Sequence, residues 1–303
     1  MVYFYQFLRV QLFSREDNPR YNFRIMPKKK NIAAPKKEVV VVQEKIEPII
    51  NEDRYEYTDE IDNVLLEGFV CLPDHRTVPN EPIPGVLVCH AFGGIGNLEE
   101  EKCRELAKAG YIAFAADLYG KGKRGQSFEE NMALLKPFRE DRTNLLRRRL
   151  FLGLQCLRDQ MAVDNEKIAV IGFCFGGLCA LDLARVNVGI KIAVSFHGTF
   201  TPLPDQPDPE KEKPIEASVL ICHGDADTHI PHEQCMNVMA EMRARKADWQ
   251  FISYGNAKHG FTDRELENST REGVGYNEQA DKRSWMTMLA LFKEKFGNTL
   301  ITF

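Results

Sequence analysis

The chain has 303 residues, 44% hydrophobic and 28% charged. These are the proportions of an ordinary globular protein, which excludes a disordered chain and a disulfide-stapled miniprotein, and no apolar run approaches the roughly 18 residues of a membrane helix. The net charge of −4 divides unevenly: residues 1–37 hold nine Lys/Arg against Glu16 and Asp17, and the rest carries 31 basic and 42 acidic residues, too acidic a body for nucleic-acid binding by counterion release.

Residues 1–50, Lys-rich and punctuated by Pro27, Pro35 and Pro48, read as a basic, disordered N-terminal extension. Residues 51–303 read as one enzyme domain. Within it, Glu56–Leu72 alternates like one or two antiparallel edge strands. Gly85–Cys89 reads as a buried strand, Leu98–Ala109 as a helix and Tyr111–Ala116 as a strand. Thr143–Met161 has helical spacing in Leu146, Leu150, Leu154 and Leu157. Lys167–Phe173 is a strand running into a helix at Leu178–Arg185. Strands at Ile190–Phe196 and Ser218–His223, a helix at His232–Arg245, a strand at Trp249–Tyr254 and a helix at Asp281–Phe296 complete the order. Alternation of this kind demands right-handed crossovers, hence an α/β fold: a doubly wound, mostly parallel sheet with helices on both faces. Three long connections, Tyr119–Pro137, Thr201–Glu216 and Thr262–Ala280, would crowd the carboxyl edge of that sheet, where ligands bind.

The eight cysteines form no CxxC pair and no zinc spacing. One of them, Cys174, lies in Gly172-Phe173-Cys174-Phe175-Gly176-Gly177, after a buried strand and at the mouth of a helix. This is the thiol form of a nucleophile elbow. Glycines on either side remove Cβ atoms that would clash in the strained turn. The helix directs its positive end toward the sulfur, favouring thiolate. Phe175 N–H then faces a developing oxyanion, and the loop His90-Ala91-Phe92-Gly93-Gly94 offers Phe92 N–H as the second donor. In this architecture the acid and the base follow the nucleophile in that order. Asp225 and Asp227, just past strand 218–223, compete for the acid. His259, in the turn after the last strand, is the base. His90 and His197, each at a strand end, are placed to line the pocket.

Taken together, VCHAFGG, ADLYGKGKRG, IGFCFGGLCALDLAR, SFHG, HGDADTHIP, KHGF and YNEQADKRSW resemble the dienelactone hydrolase (carboxymethylenebutenolidase) family of α/β hydrolases, over roughly residues 55–300. The resemblance implies an α/β-hydrolase fold and a Cys–His–Asp triad of Cys174, His259 and Asp227. The acid choice follows from the family pattern G-x-x-D-x-x-[VI]-P. It also implies oxyanion donors at Phe92 and Phe175, and neither cofactor nor metal. The family places arginines on the substrate carboxylate, and Arg264, Arg142 and Arg148 stand nearest those places. One departure is plain: Ala91 stands where the family carries a Glu that interacts with the resting thiol.

The expected function is a cysteine-dependent hydrolase that cleaves a carboxylic ester or enol lactone through a thioester acyl-enzyme. The rivals are a thioesterase or general detoxifying esterase with the same triad, and a non-catalytic redox or ligand-binding scaffold, which the missing Glu motivates. The expected partner is a small-molecule ester or lactone, with no nucleic acid, no membrane span and a monomer as the default. Free thiols suggest the cytoplasm. Four arginines in the first 25 residues give a weaker mitochondrial alternative, against which Glu16 and Asp17 count.

Overall fold

A computed structural model describes residues 48–74, 81–160 and 162–297. The reading of residues 1–50 as an extension therefore falls almost wholly outside the described residues. From Ile49 onward the chain forms one unit built on eight strands: β1 (Ile50–Asp59), β2 (Val64–Pro73), β3 (Ile83–Cys89), β4 (Ile112–Ala116), β5 (Val163–Phe173), β6 (Ile192–Phe196), β7 (Ser218–Gly224) and β8 (Asp248–Tyr254). They lie side by side in the order β1-β2-β4-β3-β5-β6-β7-β8. β1 pairs with β2, and β2 with β4, antiparallel; every later pairing is parallel.

The strand sequences explain the arrangement. All seven residues of β3, IPGVLVC, are buried, as a central parallel strand covered on both faces requires. β1 at the edge is mostly exposed and carries Glu52, Asp53, Arg54 and Glu56, charges that discourage pairing with another chain. Side chains alternate between two cores. Leu87, Cys89, Val170 and Val219 pack on one face with Leu150 and Leu154, and Val86, Val88, Ile171 and Leu220 pack on the other with Cys103, Leu106 and Phe292.

Among the described residues six α-helices cover these faces: α1 (Asn97–Lys108), α2 (Phe128–Glu140), α3 (Arg147–Arg158), α4 (Phe175–Arg185), α5 (His232–Ala244) and α6 (Glu278–Phe296). Two differ from the sequence reading. The connection Tyr119–Pro137 is not a plain loop, because it holds most of α2. Ser127 caps that helix by accepting the Glu130 N–H at 3.2 Å, and Pro137 lies inside it rather than ending it. The helix expected over Thr143–Met161 begins instead as a single π turn, Arg142–Leu146, and becomes α-helical at Arg147. No helix among the described residues is long and apolar enough to cross a membrane.

Candidate active site

β5 stops at Phe173 and α4 starts at Phe175, so Cys174 alone makes the turn between them. Its backbone sits at φ 53° and ψ −112°, a region that non-glycine residues rarely occupy and that the surroundings must enforce. The glycines are obligatory by contact. A Cβ on Gly172 would stand 1.9 Å from the Gly176 carbonyl oxygen, and one on Gly176 would stand 2.0 Å from that of Cys89. The helix thus starts wedged against β3, with its amino end at the sulfur. The Cys174 N–H, shared between the Phe196 carbonyl at 3.0 Å and His197 Nδ1 at 3.1 Å, holds the turn in place.

The two candidate partners, Asp227 and His259, come from the ends of β7 and β8. Asp227 follows β7 and is buried. His259 follows β8 in a turn pinned by residues 273–275: its N–H donates to the Gly273 carbonyl at 2.8 Å, and its carbonyl accepts from Gly275 N–H at 3.0 Å. Ala226 N–H donates to the Ala257 carbonyl at 2.8 Å and ties the acid loop to the base loop. The side chains meet in a line, with His259 Nε2 3.1 Å from Cys174 Sγ and His259 Nδ1 2.8 Å from Asp227 Oδ2. The other Asp227 oxygen accepts the His229 N–H at 2.9 Å. Asp225, the competing acid, is exposed and faces Ser253 Oγ at 3.4 Å.

Electrostatics follow this line. Burial alone would push the Cys174 thiol up. The charge on His259, its hydrogen bond, and the backbone N–H groups of Phe175 and Phe92 outweigh burial and hold the thiol below its ordinary value. Burial likewise opposes the charged form of His259, but the thiolate and Asp227 lift it from 6.5 to about 10. Each shift favours the charged form of its group, so the contact biases the pair toward thiolate and imidazolium. The other seven cysteines are buried. Burial raises each of their thiols, to about 12 at Cys71, Cys156 and Cys222 and upward at Cys89, Cys103, Cys179 and Cys235.

The loop after β3 brings Phe92 N–H to the sulfur, and three side chains brace it. Glu99 in the first turn of α1 accepts Ala91 N–H at 2.9 Å and Gly96 N–H at 2.8 Å. Tyr119 OH donates to the Phe92 carbonyl at 3.0 Å. His90 Nδ1–H donates to the Ala91 carbonyl at 2.6 Å, while its Nε2 accepts Leu118 N–H at 3.3 Å. Burial holds Glu99 up at about 7, against the pull of those N–H groups. The carboxylate of this loop is thus turned onto the backbone. At the position of Ala91 no carboxylate reaches the thiol, and His259 with two N–H groups acts on it instead.

The remaining sequence candidates are placed differently from expectation. His90 and His197 do not present their nitrogens to a ligand: both are buried and spend them on the backbone and on Thr262. Arg142 is committed elsewhere. All five of its N–H donors are used, on both oxygens of Asp182, on Thr201 Oγ1 and on the carbonyls of Thr201 and Pro202. Arg148 pairs with Asp59 at 2.9 Å and with Asp62, which fastens α3 to the β1–β2 hairpin. Arg264 is exposed in a short turn and hydrogen-bonds Tyr276. Burying a guanidinium demands such partners, so Arg142 and Arg148 are not free to hold a substrate.

Two arginines outside the expected set do flank the loop after β3. Arg271 lies 4.6 Å over the Phe128 ring and 6.0 Å from that of Phe92, rings that themselves meet at 5.7 Å. Arg124 lies over Gly96, where a Cβ would stand 2.5 Å from Nη2. Neither forms an ion pair with another described residue. Arg124 lies between β4 and α2, and Arg271 between β8 and α6. Among the described residues no cluster could hold a metal ion.

An eight-stranded, mostly parallel sheet with a nucleophile elbow between β5 and α4, and an acid and a histidine after β7 and β8, defines an α/β hydrolase. Within that class the assignment is direct. The profile of the dienelactone hydrolase family matches residues 66–296, and the chain belongs to that family. Its sequence is 43% identical over 158 residues to an uncharacterised protein of Caenorhabditis elegans, spanning 52% of this chain and 98% of that one. It is 28% identical over 240 residues to a Yersinia pestis protein provisionally named carboxymethylenebutenolidase, spanning 76% and 84%. Among solved structures it is similar to a dienelactone hydrolase-like promiscuous phosphotriesterase from metagenomic libraries. That match has a TM-score of 0.75 and 34% identity over 82% of this chain and 99% of that one.

Proposed function

We propose that this hydrolase cleaves a carboxylic ester or enol lactone through a thioester on Cys174, with His259 as acid–base and Asp227 as its orienter. The observation that carries the reading is the unbroken line from Sγ to Nε2 at 3.1 Å and from Nδ1 to Oδ2 at 2.8 Å, on a cysteine held at positive φ. The Cys174 thiolate attacks the carbonyl carbon. The oxyanion that forms takes hydrogen bonds from Phe92 and Phe175 N–H, each worth about 3 kcal/mol. As the C–O bond breaks, His259 Nε2–H protonates the leaving oxygen, which in a lactone stays tethered to the acyl group. Neutral His259 then takes a proton from water. Hydroxide adds to the thioester, and the C–S bond breaks to restore thiolate and imidazolium. Asp227 keeps the proton on Nδ1 throughout.

A thiolate with no base stronger than this imidazole suits good leaving groups, such as enol lactones, aryl esters and thioesters, more than amides. Arg271 and Arg124, cations beside the oxyanion loop with no acidic partner among the described residues, favour a substrate that carries a carboxylate. The depressed thiol supports catalysis over the inert scaffold that the missing Glu suggests. Hydrolysis of p-nitrophenyl acetate and of a dienelactone by wild type and by Cys174→Ala tests the reading, with mass spectrometry of the quenched reaction for the acyl adduct. The expected result is turnover and an adduct in wild type and neither in the variant. Undiminished turnover in Cys174→Ala would overturn it. Turnover of thioesters well above both substrates would move the assignment to a thioesterase.

A further inference from the structure

His197 sits one residue beyond β6, at φ 39°, with its side chain almost wholly enclosed. Its two ring nitrogens face different parts of the site. Nδ1 lies 3.1 Å from the backbone nitrogen of Cys174. A backbone N–H can only donate, so Nδ1 carries no proton and the ring proton resides on Nε2. Nε2 lies 2.8 Å from Thr262 Oγ1, which accepts it. Thr262 is three residues past His259 and buried. The ring also meets that of His259 edge-on, with centroids 5.5 Å apart at 66°, and that of Phe261 at 5.1 Å and 79°.

One imidazole therefore bridges two turns that are 85 residues apart in the chain. It grips the strained backbone of the nucleophile through Nδ1. Through Nε2, and by ring contact, it grips the turn that carries the base. The titratable group facing it is His259, and the Cys174 backbone, Phe173, Phe261 and Thr262 also touch it. Burial and the positive charge on His259 keep it neutral, well below the ordinary histidine range, so it holds both bonds across the working pH range without competing for the proton.

We propose that His197, fixed by Thr262 as the Nε2–H tautomer, is a positioning residue that couples the nucleophile turn to the base turn and thereby sets the distance between Sγ and His259 Nε2. The proposal rests on the reading of Cys174 and His259 as nucleophile and base.

The test uses the full chain and three variants. His197→Phe keeps an aromatic ring against His259 and Phe261 but removes both hydrogen bonds. Thr262→Val removes only the acceptor of the ring proton. His197→Gln returns an oxygen that can accept Cys174 N–H. The readouts are kcat and KM on p-nitrophenyl acetate, the pH profile of iodoacetamide alkylation at Cys174, and Tm. In His197→Phe the alkylation midpoint is expected to rise by about one pH unit as the ion pair loosens. Its kcat should fall by about 10- to 100-fold, with KM within about threefold. Thr262→Val should move both readouts in the same direction by less, and His197→Gln should recover part of the loss. A fall in Tm with the alkylation profile and kcat unmoved would show a purely structural residue and overturn the proposal. Should His197→Phe fail to fold, Thr262→Val decides, and wild-type values for both readouts there overturn it. The alkylation profile does not depend on turnover, so failure of the hydrolase reading in Cys174→Ala and failure of this coupling remain distinguishable.

Discussion

Replacing Asp227 by Asn keeps the shape of the side chain and removes one charge from the line Asp227–His259–Cys174. The size of the effect follows from the balance at His259. Its lift from 6.5 to about 10 corresponds to about 5 kcal/mol in favour of imidazolium, at about 1.4 kcal/mol per pH unit. Burial works against this. Of the four favourable contributions, the charge of the thiolate is largest, followed by the Asp227 hydrogen bond, the thiolate hydrogen bond and the Asp227 charge. The two Asp227 contributions rank second and fourth, less than half of a favourable sum that exceeds the net lift by the burial cost, so loss of the charge is expected to take on the order of 2 kcal/mol, roughly 1.5 pH units, from imidazolium. Activity that needs thiolate and imidazolium together is bell-shaped in pH, and both limbs belong to the pair. In wild type the acid limb lies below the ordinary thiol value and the alkaline limb near 10. In Asp227→Asn the alkaline limb should drop by 1 to 2 units and the acid limb should rise, narrowing the plateau from both sides, roughly as the charge loss dictates. At neutral pH kcat/KM should fall by at least about 10-fold from the lost charge, and further, toward about 10⁴-fold, where Asn donates to Nδ1 and fixes the wrong tautomer. The assay is kcat/KM for p-nitrophenyl acetate across the pH range, with ultraviolet thiolate absorbance as a second reading of the same limbs. Asp225→Asn is the control, since Asp225 is exposed and faces Ser253, and its profile should match wild type. An Asp227→Asn enzyme with its alkaline limb still near 10 and kcat/KM within about twofold would refute the electrostatic reasoning.

Three further outcomes follow from the same geometry. Glu99 is buried at a raised value of about 7, so ionising it costs folding free energy. Wild-type stability should lose about 3 kcal/mol from this group as pH rises from about 5 to about 8, while Glu99→Gln should lack that loss; urea unfolding at the two pH values checks it, and parallel slopes would contradict it. Arg271→Ala should raise KM about 10-fold for an ester bearing a carboxylate, with a neutral ester changed by less than about twofold, as loss of one charge-assisted contact predicts; equal effects on both esters would remove Arg271 from substrate recognition. Arg142→Leu leaves Asp182 buried with only Arg185 as an ionic partner and should cost about 3 kcal/mol or more of stability, read by thermal unfolding, with KM unaltered in the folded enzyme; a raised KM at unchanged Tm would return Arg142 to the substrate.

What could be read from the chain in advance was local. The elbow announces itself because the glycines at 172, 176 and 177 answer to clashes within one strand–turn–helix unit. The strands announce themselves because a parallel sheet covered on both faces needs apolar runs such as those at 86–89 and 219–222. Chain order and context point to His259 and leave Asp225 and Asp227 as competing acids, between which the family pattern chooses Asp227. What failed depended on distant partners. Arg142 looked free until Asp182 and residues 201–202 arrived, and Arg148 until Asp59, 89 residues away, claimed it. The helix α2 hid behind Pro137, which breaks the expected pattern though the helix tolerates it. His197 was recognisable as a strand-end histidine, but its engagement with Cys174 N–H and Thr262 required the two turns to be brought together.

The distribution of thiols has a practical consequence. Seven sulfurs are walled in and held as protonated thiols, and a single one is partly open and drawn toward the thiolate. A slow, stoichiometric electrophile should add one mass increment per chain and no more. The extent of that addition would count the competent molecules in any preparation without a substrate, a standard or a mutation. The same distribution means that ageing in air should not spread damage across eight residues. It should accumulate at one atom, so that a preparation can lose its chemistry while keeping its fold, its solubility and its spectroscopic signature.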